Sequence, residues 1–284
     1  MVTDKKQSAS ETIVEAPQTS PLDRLLHVME CLRNPETGCP WDKKQTFHTI
    51  APYTIEEAYE VADAIEEGDM DTLKEELGDL LFQIVFYAQM GREGGHFDFQ
   101  SIAIAIADKM THRHPHVFED MSHDTIEECV DTWEEHKSAE RHAKSRRAGG
   151  TSGIFDGVPS AMPALLRSEK LQKRAARVGF DWPQVSQVLD KIEEEIGELR
   201  AEIEGKGTAK RQEDEIGDLF FALVNLARHL RIDSESALRR TNAKFKHRFQ
   251  QIESWLAETG RCPMEASLEE MEALWLRAKE EERG

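Results

Sequence analysis

The sequence predicts an all-α protein that contains two tandem copies of one helical unit. Strand signals are nearly absent, since the chain has no Asn-Gly hairpin turns and no sustained alternation of apolar and polar residues. Apolar residues recur instead at helical spacing along both halves of the chain. Several short strings also occur twice in the same order, which indicates a duplicated domain. The 284 residues suffice for two hydrophobic cores, in units of about 120 residues each.

Five helices are predicted in the first unit, which spans residues 21–140. Their bounds, in chain order, are 22–32, 54–65, 73–90, 98 or 101 to 114, and 125–133. Residues 34–35 (Asn-Pro) end the first helix, and residues 68–69 (Gly-Asp) close the second. Gly38–Asp42 predicts a packed turn. Thr125–Glu128 predicts a capping box at the start of the last helix.

A change of composition separates the two units. Residues 141–162 combine a basic start with a glycine-rich run, and they predict a flexible linker. Direct phosphate binding by the arginines of this segment is the alternative. Residues 163–284 then repeat the helical plan and carry their own capping box at Ser267–Glu270. The polar residues 1–20 predict a disordered tail or a species-specific extension.

Composition argues against two kinds of partner. The net charge of −19 disfavours a nucleic-acid polymer, because binding a phosphate backbone needs a basic footprint. No apolar run is long enough to span a membrane, and the start of the chain lacks the hydrophobic stretch of a signal peptide. The four cysteines show no Cys-x-x-Cys pairing, so they predict reduced thiols and neither a zinc site nor disulfides. We therefore expect a cytoplasmic protein.

An acidic pattern that occurs once in each unit points to the chemistry. Glu56–Glu60 is followed by Glu76–Asp79, and Glu194–Glu198 is followed by Glu215–Asp218. Each string places two carboxylates at i and i+3, which lie on one helix face. If a turn joins the two helices, four carboxylates point at one spot. They repel one another there unless a hard divalent cation such as Mg²⁺ lies among them.

A charged helical run is more often a solvated face, and a single copy of the pattern would favour that interpretation. The repeat continues beyond the acids, however. The matching strings are Gly78–Phe82 with Gly217–Phe221, Lys109–Arg113 with Lys244–Arg248, and Thr125–Lys137 with Ser267–Lys279. Because both copies keep the acids in one register, we favour a metal site in each unit.

The acidic pattern resembles that of the all-α nucleoside triphosphate pyrophosphohydrolases. The tandem arrangement, together with Gly38–Asp42 and Arg113–Phe118, resembles the MazG family within them, over residues 21–279. The resemblance implies hydrolysis of a nucleoside triphosphate between its α and β phosphates, with Mg²⁺ or Mn²⁺ as cofactor. It implies metal ligands at Glu195, Glu198, Glu215 and Asp218, and a second, weaker site at Glu57, Glu60, Glu76 and Asp79.

The two predicted sites differ in their cations. Alignment of the acidic strings places Lys191 opposite Tyr53. It also pairs two further cations with residues that are not basic: Lys210 with Asp71, and Arg211 with Thr72. Since a triphosphate needs cations as well as metal, the second unit is the better catalytic candidate.

Further roles therefore fall on the second unit. Lys191, Glu194 and Glu195 are the catalytic candidates, and Glu194 is a general base, a second metal ligand or an exposed carboxylate. The candidates for nucleotide binding are Lys191, Lys244, Arg248 and Trp275 from the resemblance, and Arg211 from its position near the acids. The alternatives are surface salt bridges for the cations and core packing for the tryptophan. A stacking tryptophan tolerates any base, which suits a broad-substrate enzyme that cleanses or regulates the nucleotide pool.

Residues 80–87 and 219–230 are apolar on nearly every helical face. Such helices must be covered on several sides, so we expect four-helix-type bundles that pair in a homodimer. His112, His114 and His116 predict structural roles and no metal site. The alternative to an enzyme is a non-catalytic nucleotide-sensing or protein-interaction module with structural metal sites.

Overall fold

The computed structural model of the chain describes residues 20–119, 125, 128–129, 132–133, 136–140, 143 and 153–282. The chain forms two compact units, residues 1–136 and 137–284. Every regular element in the described residues is a helix, which confirms the all-α prediction. Apart from residues 20 and 143, the predicted tail and the basic, glycine-rich start of the predicted linker lie outside the described residues.

The first unit carries its carboxylates on two helices of a tight helical pair. Its elements are α1 (Pro21–Leu32), α2 (Phe47–Glu67), α3 (Met70–Glu93), α4 (Phe99–Arg113) and α5 (Pro115–Phe118). Gly68 ends α2 with a φ of 75°, a left-handed conformation that glycine adopts without strain. The side chain of Asp69 caps α3 by accepting from two backbone N–H groups. The predicted turn at 68–69 is thus confirmed, and it makes α2 and α3 antiparallel.

α2 begins at Phe47, earlier than the predicted start at residue 54. Its first turn is fixed by a capping box, in which the Thr46 side chain accepts from the Thr49 N–H and the Thr49 side chain accepts from the Thr46 N–H. Pro52 lies inside the helix as its sixth residue. Its missing N–H removes one backbone hydrogen bond without ending the helix.

The core of the first unit lies where α1, α2 and α3 meet. Its buried residues are Met29, Ile50, Val85, Phe86 and Met90. Each buried side chain of this size contributes about 1.5–3 kcal/mol to the stability of the fold. Arg33 seals this core from the end of α1, because its guanidinium lies 5.2 Å from the Phe86 ring centroid and its Nε donates to Glu93 at 2.9 Å.

The second unit repeats the helical pair with a smaller core. Its elements are α6 (Ala164–Ala176), α7 (Val185–Glu204), α8 (Ala209–His229), α9 (Ser234–Glu258) and α10 (Leu268–Glu281). Val188, Ile192 and Ala222 are buried between α7 and α8. Gln172 on α6 is buried as well, and its Nε2 donates to the Phe221 carbonyl at 2.8 Å. This hydrogen bond holds α6 against α8.

The two predicted capping boxes have different outcomes. Thr125 and Glu128 form both bonds of the box, since each backbone N–H donates to the other side chain. In the second unit the Ser267 side chain accepts from the Glu270 N–H, but the Glu270 carboxylate binds Arg261 at 2.7 Å instead of the cap. The second box is therefore only half formed, because a guanidinium is the stronger partner for that carboxylate.

Apolar side chains remain exposed on α3 and α8. Three of them on each helix lie on one face at i, i+4 and i+7, namely Leu77, Leu81 and Ile84 on α3, and Ile216, Phe220 and Leu223 on α8. Neither unit covers this face with its own described residues. Exposed apolar faces of this kind agree with the partner chain that the sequence predicts. Across the described part of the chain, none of the helices is sufficiently long and apolar to cross a membrane.

Candidate metal and nucleotide site

The carboxylates of the second unit converge between α7 and α8. Glu195, Glu198 and Glu215 each offer an oxygen, and the three oxygens lie within 4.8 Å of one another. Glu195 is only 5% exposed, and its buried Oε2 has no hydrogen-bond partner among the described residues. Burial raises the pKa of Glu215, and the charges of the neighbouring carboxylates, including Asp218, raise it further. The cluster is therefore strained by its own negative charge.

Lys191 lies against this cluster, one turn before it on α7. Its Nζ is 2.8 Å from Oε1 of Glu194 and 2.8 Å from Oε1 of Glu195. Hydrogen bonds from the ammonium to these two carboxylates raise the pKa of Lys191. The structure thus brings the three catalytic candidates together, with one positive charge directly on a predicted metal ligand.

The first unit has a cluster at the corresponding place on α2 and α3. Glu57, Glu76 and Asp79 each offer an oxygen within 4.8 Å of the others. Burial raises the pKa of Glu76, and the charges of Glu60 and Asp79 raise it as well. Glu60 in this unit and Asp218 in the other lie outside the tightest group of three, yet both act electrostatically on it.

A residue that the sequence interpretation missed contacts the first cluster. The Gln83 carboxamide donates from Nε2 to Oε1 of Glu57 at 3.3 Å. Gln83 is 8% exposed, and its Oε1 has no hydrogen-bond partner in the described part of the chain. The corresponding residue of the second unit is Ala222. In the sequence, the only sign of this role is that Gln83 is a single amide within the apolar helical run 80–87.

The second unit holds a separate group of cations on α9, beside the tryptophan of α10. The Arg248 guanidinium lies 5.3 Å from the Trp275 ring centroid, and its Nε is 3.1 and 3.0 Å from the two carboxylate oxygens of Glu282. The hydrogen bond from Arg248, with the charges of His247 and Lys244, lowers the pKa of Glu282. The predicted nucleotide contacts on these helices are therefore neighbours, and Glu282 is a partner that the sequence did not reveal.

Arg211 is not on the carboxylate cluster. Its guanidinium pairs with Glu202 at 3.3 Å and is largely exposed. The contacts described for Arg248 and Trp275 likewise join α9 to α10, and none of them reaches the carboxylates on α7 and α8. Within one unit, the structure thus places the metal candidates and the stacking candidates in two groups.

His114, one of the three histidines near the end of α4, packs against its neighbours. Nδ1 of His114 lies 2.6 Å from the Met110 carbonyl, and its ring is 4.9 Å from that of Trp133. Arg113 lies 5.1 Å from the same tryptophan ring, as Arg248 does from Trp275. The repeat therefore preserves an arginine–tryptophan pair in both units, and the described contacts of His114 are those of a packed side chain.

Two helical pairs that each carry a carboxylate cluster agree with the resemblance to the all-α nucleoside triphosphate pyrophosphohydrolases. The sequence model of the MazG nucleotide pyrophosphohydrolase domain matches the chain twice, at residues 45–118 and 184–252, and each match contains one cluster. The chain belongs to the MazG nucleotide pyrophosphohydrolase family. The resemblance found in the sequence is thereby confirmed.

Curated relatives match nearly the whole chain. It is 50% identical over 262 residues to the nucleoside triphosphate pyrophosphohydrolase of Escherichia coli K12, covering 92% of this chain and 98% of that protein. It is 41% identical to the nucleoside triphosphate pyrophosphohydrolase/pyrophosphatase MazG of Thermotoga maritima, over 90% of this chain and 95% of that protein. The uncharacterized protein YabN of Bacillus subtilis is 44% identical over 89% of this chain and 50% of its own length. The predicted enzyme class is confirmed.

Proposed function

We propose that this protein hydrolyses nucleoside triphosphates between the α and β phosphates, releasing a nucleoside monophosphate and pyrophosphate. The observation that carries the proposal is the cluster of Glu195, Glu198 and Glu215, with the buried, unpartnered Oε2 of Glu195 and the ammonium of Lys191 beside it. The names of the relatives support the same reaction.

A divalent cation fits the donors of this cluster. All of them are carboxylate oxygens, which Mg²⁺ and Mn²⁺ prefer, and a buried oxygen without a partner is available to a cation. Glu195, Glu198, Glu215 and Asp218 would hold it. When bound, such a cation neutralises charge on the phosphate oxygens and so stabilises the departing pyrophosphate.

The residues of the chain divide the remaining work. Lys191 exchanges its carboxylate partners for phosphate oxygens and holds the triphosphate at the cluster. Glu194 is then released, and its carboxylate accepts a proton from the attacking water. Lys244 and Arg248 bind phosphate charge, and Trp275 stacks on the base. Since stacking does not discriminate among bases, we propose broad specificity and a role in cleansing or regulating the nucleotide pool.

One experiment tests this reaction. Purified protein is incubated with Mg²⁺ and each nucleoside triphosphate in turn, and pyrophosphate is measured against orthophosphate. Pyrophosphate as the first product, abolished by a chelator, is expected. Orthophosphate appearing first, with a nucleoside diphosphate, would exclude cleavage between the α and β phosphates. Tight nucleotide binding without turnover would favour the sensing module.

We also propose that the chain forms a homodimer through the exposed apolar face of α8. Phe220, at the centre of this face, is 56% exposed, and Ile216 and Leu223 flank it. Sedimentation should show a dimer at micromolar concentration, and Phe220→Asp should give a monomer. Met264→Asp is the matched control, because Met264 is 95% exposed and does not belong to α8. A monomeric wild type would refute the dimer.

A further inference from the structure

The carboxylate clusters of the two units are held by partners of different charge. In the second unit, Oε1 of Glu195 binds the ammonium of Lys191 at 2.8 Å. In the first unit, Oε1 of the corresponding Glu57 binds the neutral carboxamide of Gln83 at 3.3 Å. The two helical pairs share one scaffold, so the charge of this partner is a principal difference between the sites.

The carboxamide of Gln83 also presents an unused oxygen acceptor. It is more than nine-tenths buried, its Nε2 is aimed at the cluster, and its Oε1 has no partner in the parts of the chain that are described. A buried acceptor without a donor is unfavourable, so the arrangement indicates a ligand that brings a donor. Water bound to a cation is such a donor, and its hydrogens are polarised by the ion.

No described cation neutralises the first cluster. Among the residues with described side chains, no Lys, Arg or His makes an ion pair with its carboxylates. Tyr53 stands where the second unit has Lys191, and its ring packs edge-on against Trp41 at a centroid distance of 6.0 Å. A divalent cation therefore meets the full negative charge in the first unit. In the second unit it competes with an ammonium.

We infer that the first cluster, positioned by Gln83, binds a divalent cation in the absence of nucleotide, whereas the second cluster fills only when a nucleotide draws Lys191 away. The inference rests on the proposed function for the assignment of these carboxylates as metal ligands. Gln83 is a positioning residue in this scheme, since it orients Glu57 and accepts from water on the ion. Without nucleotide, the first unit would therefore hold Mg²⁺ or Mn²⁺ more tightly than the second, the reverse of the order that the resemblance implies, and the second unit would bind its cation together with the substrate.

Mn²⁺ titration of the full-length, chelator-treated protein tests this inference by electron paramagnetic resonance without nucleotide. About one tightly bound Mn²⁺ per chain is expected. Glu57→Gln should abolish the tight site, and Glu195→Gln should leave it. Gln83→Ala should weaken Mn²⁺ binding about tenfold or more, as loss of an outer partner of a metal ligand does. Gln89→Ala, on the same helix, is the control and should change nothing.

Two reciprocal variants exchange the charge between the units. Tyr53→Lys should weaken the nucleotide-independent site, and Lys191→Met should create a second one. Tyr53 is 40% exposed, so the fold tolerates the lysine. Loss of tight Mn²⁺ through Glu195→Gln alone, or equal binding by both units of the wild type, would overturn the inference. Pyrophosphate release measured on the same samples separates it from the proposed function, since either result can fail while the other holds.

Discussion

Glu57 and Glu195 occupy corresponding positions on α2 and α7, and each is joined by acids from the following helix. The duplicated helical pair has kept the carboxylate geometry in both units. What differs is the group that touches the first carboxylate, a buried amide in one unit and a lysine in the other. Since the ligand sets are nearly the same, the surrounding charge distinguishes the two sites.

The cores of the two units also differ in polarity. Phe86 fills the core of the first unit, but Asn225 stands at the corresponding place in the second. Asn225 is buried, and its Oδ1 accepts from Arg228, which also binds Asp181. The interior of the second unit therefore contains a polar network, whereas Phe220 lies exposed on its surface. A partner chain over that face would complete its apolar packing.

The strongest test of the comparison is the loss of one ligand from each cluster. Glu215→Gln or Asp218→Asn should reduce pyrophosphate release about 100-fold or more, because a ligand of a catalytic metal contributes several kcal/mol to the transition state. Glu76→Gln or Asp79→Asn should reduce it much less, since Tyr53 stands there in place of Lys191 and none of the described lysines pairs with that cluster. Initial rates at saturating Mg²⁺ provide the measurement.

Circular dichroism should show that all four variants keep their helical content. Equal losses from the two units would remove the proposed division of labour. A dead first-unit variant beside an active second-unit variant would reverse it, and the first cluster would then be the catalytic one.

Lys191→Ala addresses the cation that contacts the second cluster among the described residues. Binding of a non-hydrolysable triphosphate should weaken about 10- to 100-fold, which is the value of a hydrogen bond to a charged group. Isothermal titration measures this affinity, and metal binding measured separately should not weaken. Lys210→Ala is the control, because Lys210 makes none of the described contacts with the cluster. An unchanged nucleotide affinity would make Lys191 a surface residue.

Much of this comparison could be predicted from the sequence, because it depends on the helical spacing of apolar residues and on the repeated strings. The paired helices and the acidic register follow from apolar spacing and the duplicated strings. Gln83 was missed because a single amide in an apolar run has no pattern, and its importance depends on which residue the fold brings to it. Glu282 was missed because it lies 34 residues from Arg248. The early start of α2 was missed because Pro52 usually marks a helix boundary.

Glu282→Gln tests whether Arg248 is restrained before nucleotide binds. The Glu282 carboxylate pairs with the Arg248 guanidinium, where a phosphate group of the nucleotide would otherwise bind. Replacing this carboxylate with a neutral amide should therefore tighten nucleotide binding about two- to fivefold, the range of a partly exposed ion pair. Glu281→Gln is the matched control, since Glu281 pairs with Arg277 instead. Fluorescence of Trp275 on titration with nucleotide measures the change. Weaker binding by Glu282→Gln would show that this carboxylate positions Arg248 for the nucleotide.

The smallest expected effect tests what the two units share, which is the repulsion within each cluster. Burial and neighbouring carboxylates raise the pKa of both Glu76 and Glu215 above the ordinary value of 4.5. Ionisation of these groups therefore destabilises the folded state. The penalty is absent below the unfolded pKa and is complete once the pH has risen above the folded pKa. In metal-free protein at neutral pH, the double variant Glu76→Gln with Glu215→Gln should melt a few degrees higher than the wild type.

The difference should shrink as the pH falls toward 4.5, because the wild-type carboxylates then become neutral like the amides that replace them. Saturating Mg²⁺ should reverse the order at neutral pH, since the cation stabilises only a folded state that has its ligands. Melting curves of both proteins across this pH range, with chelator and with Mg²⁺, provide the measurement. A double variant that is less stable than metal-free wild type at neutral pH would mean that these carboxylates support the fold instead of straining it.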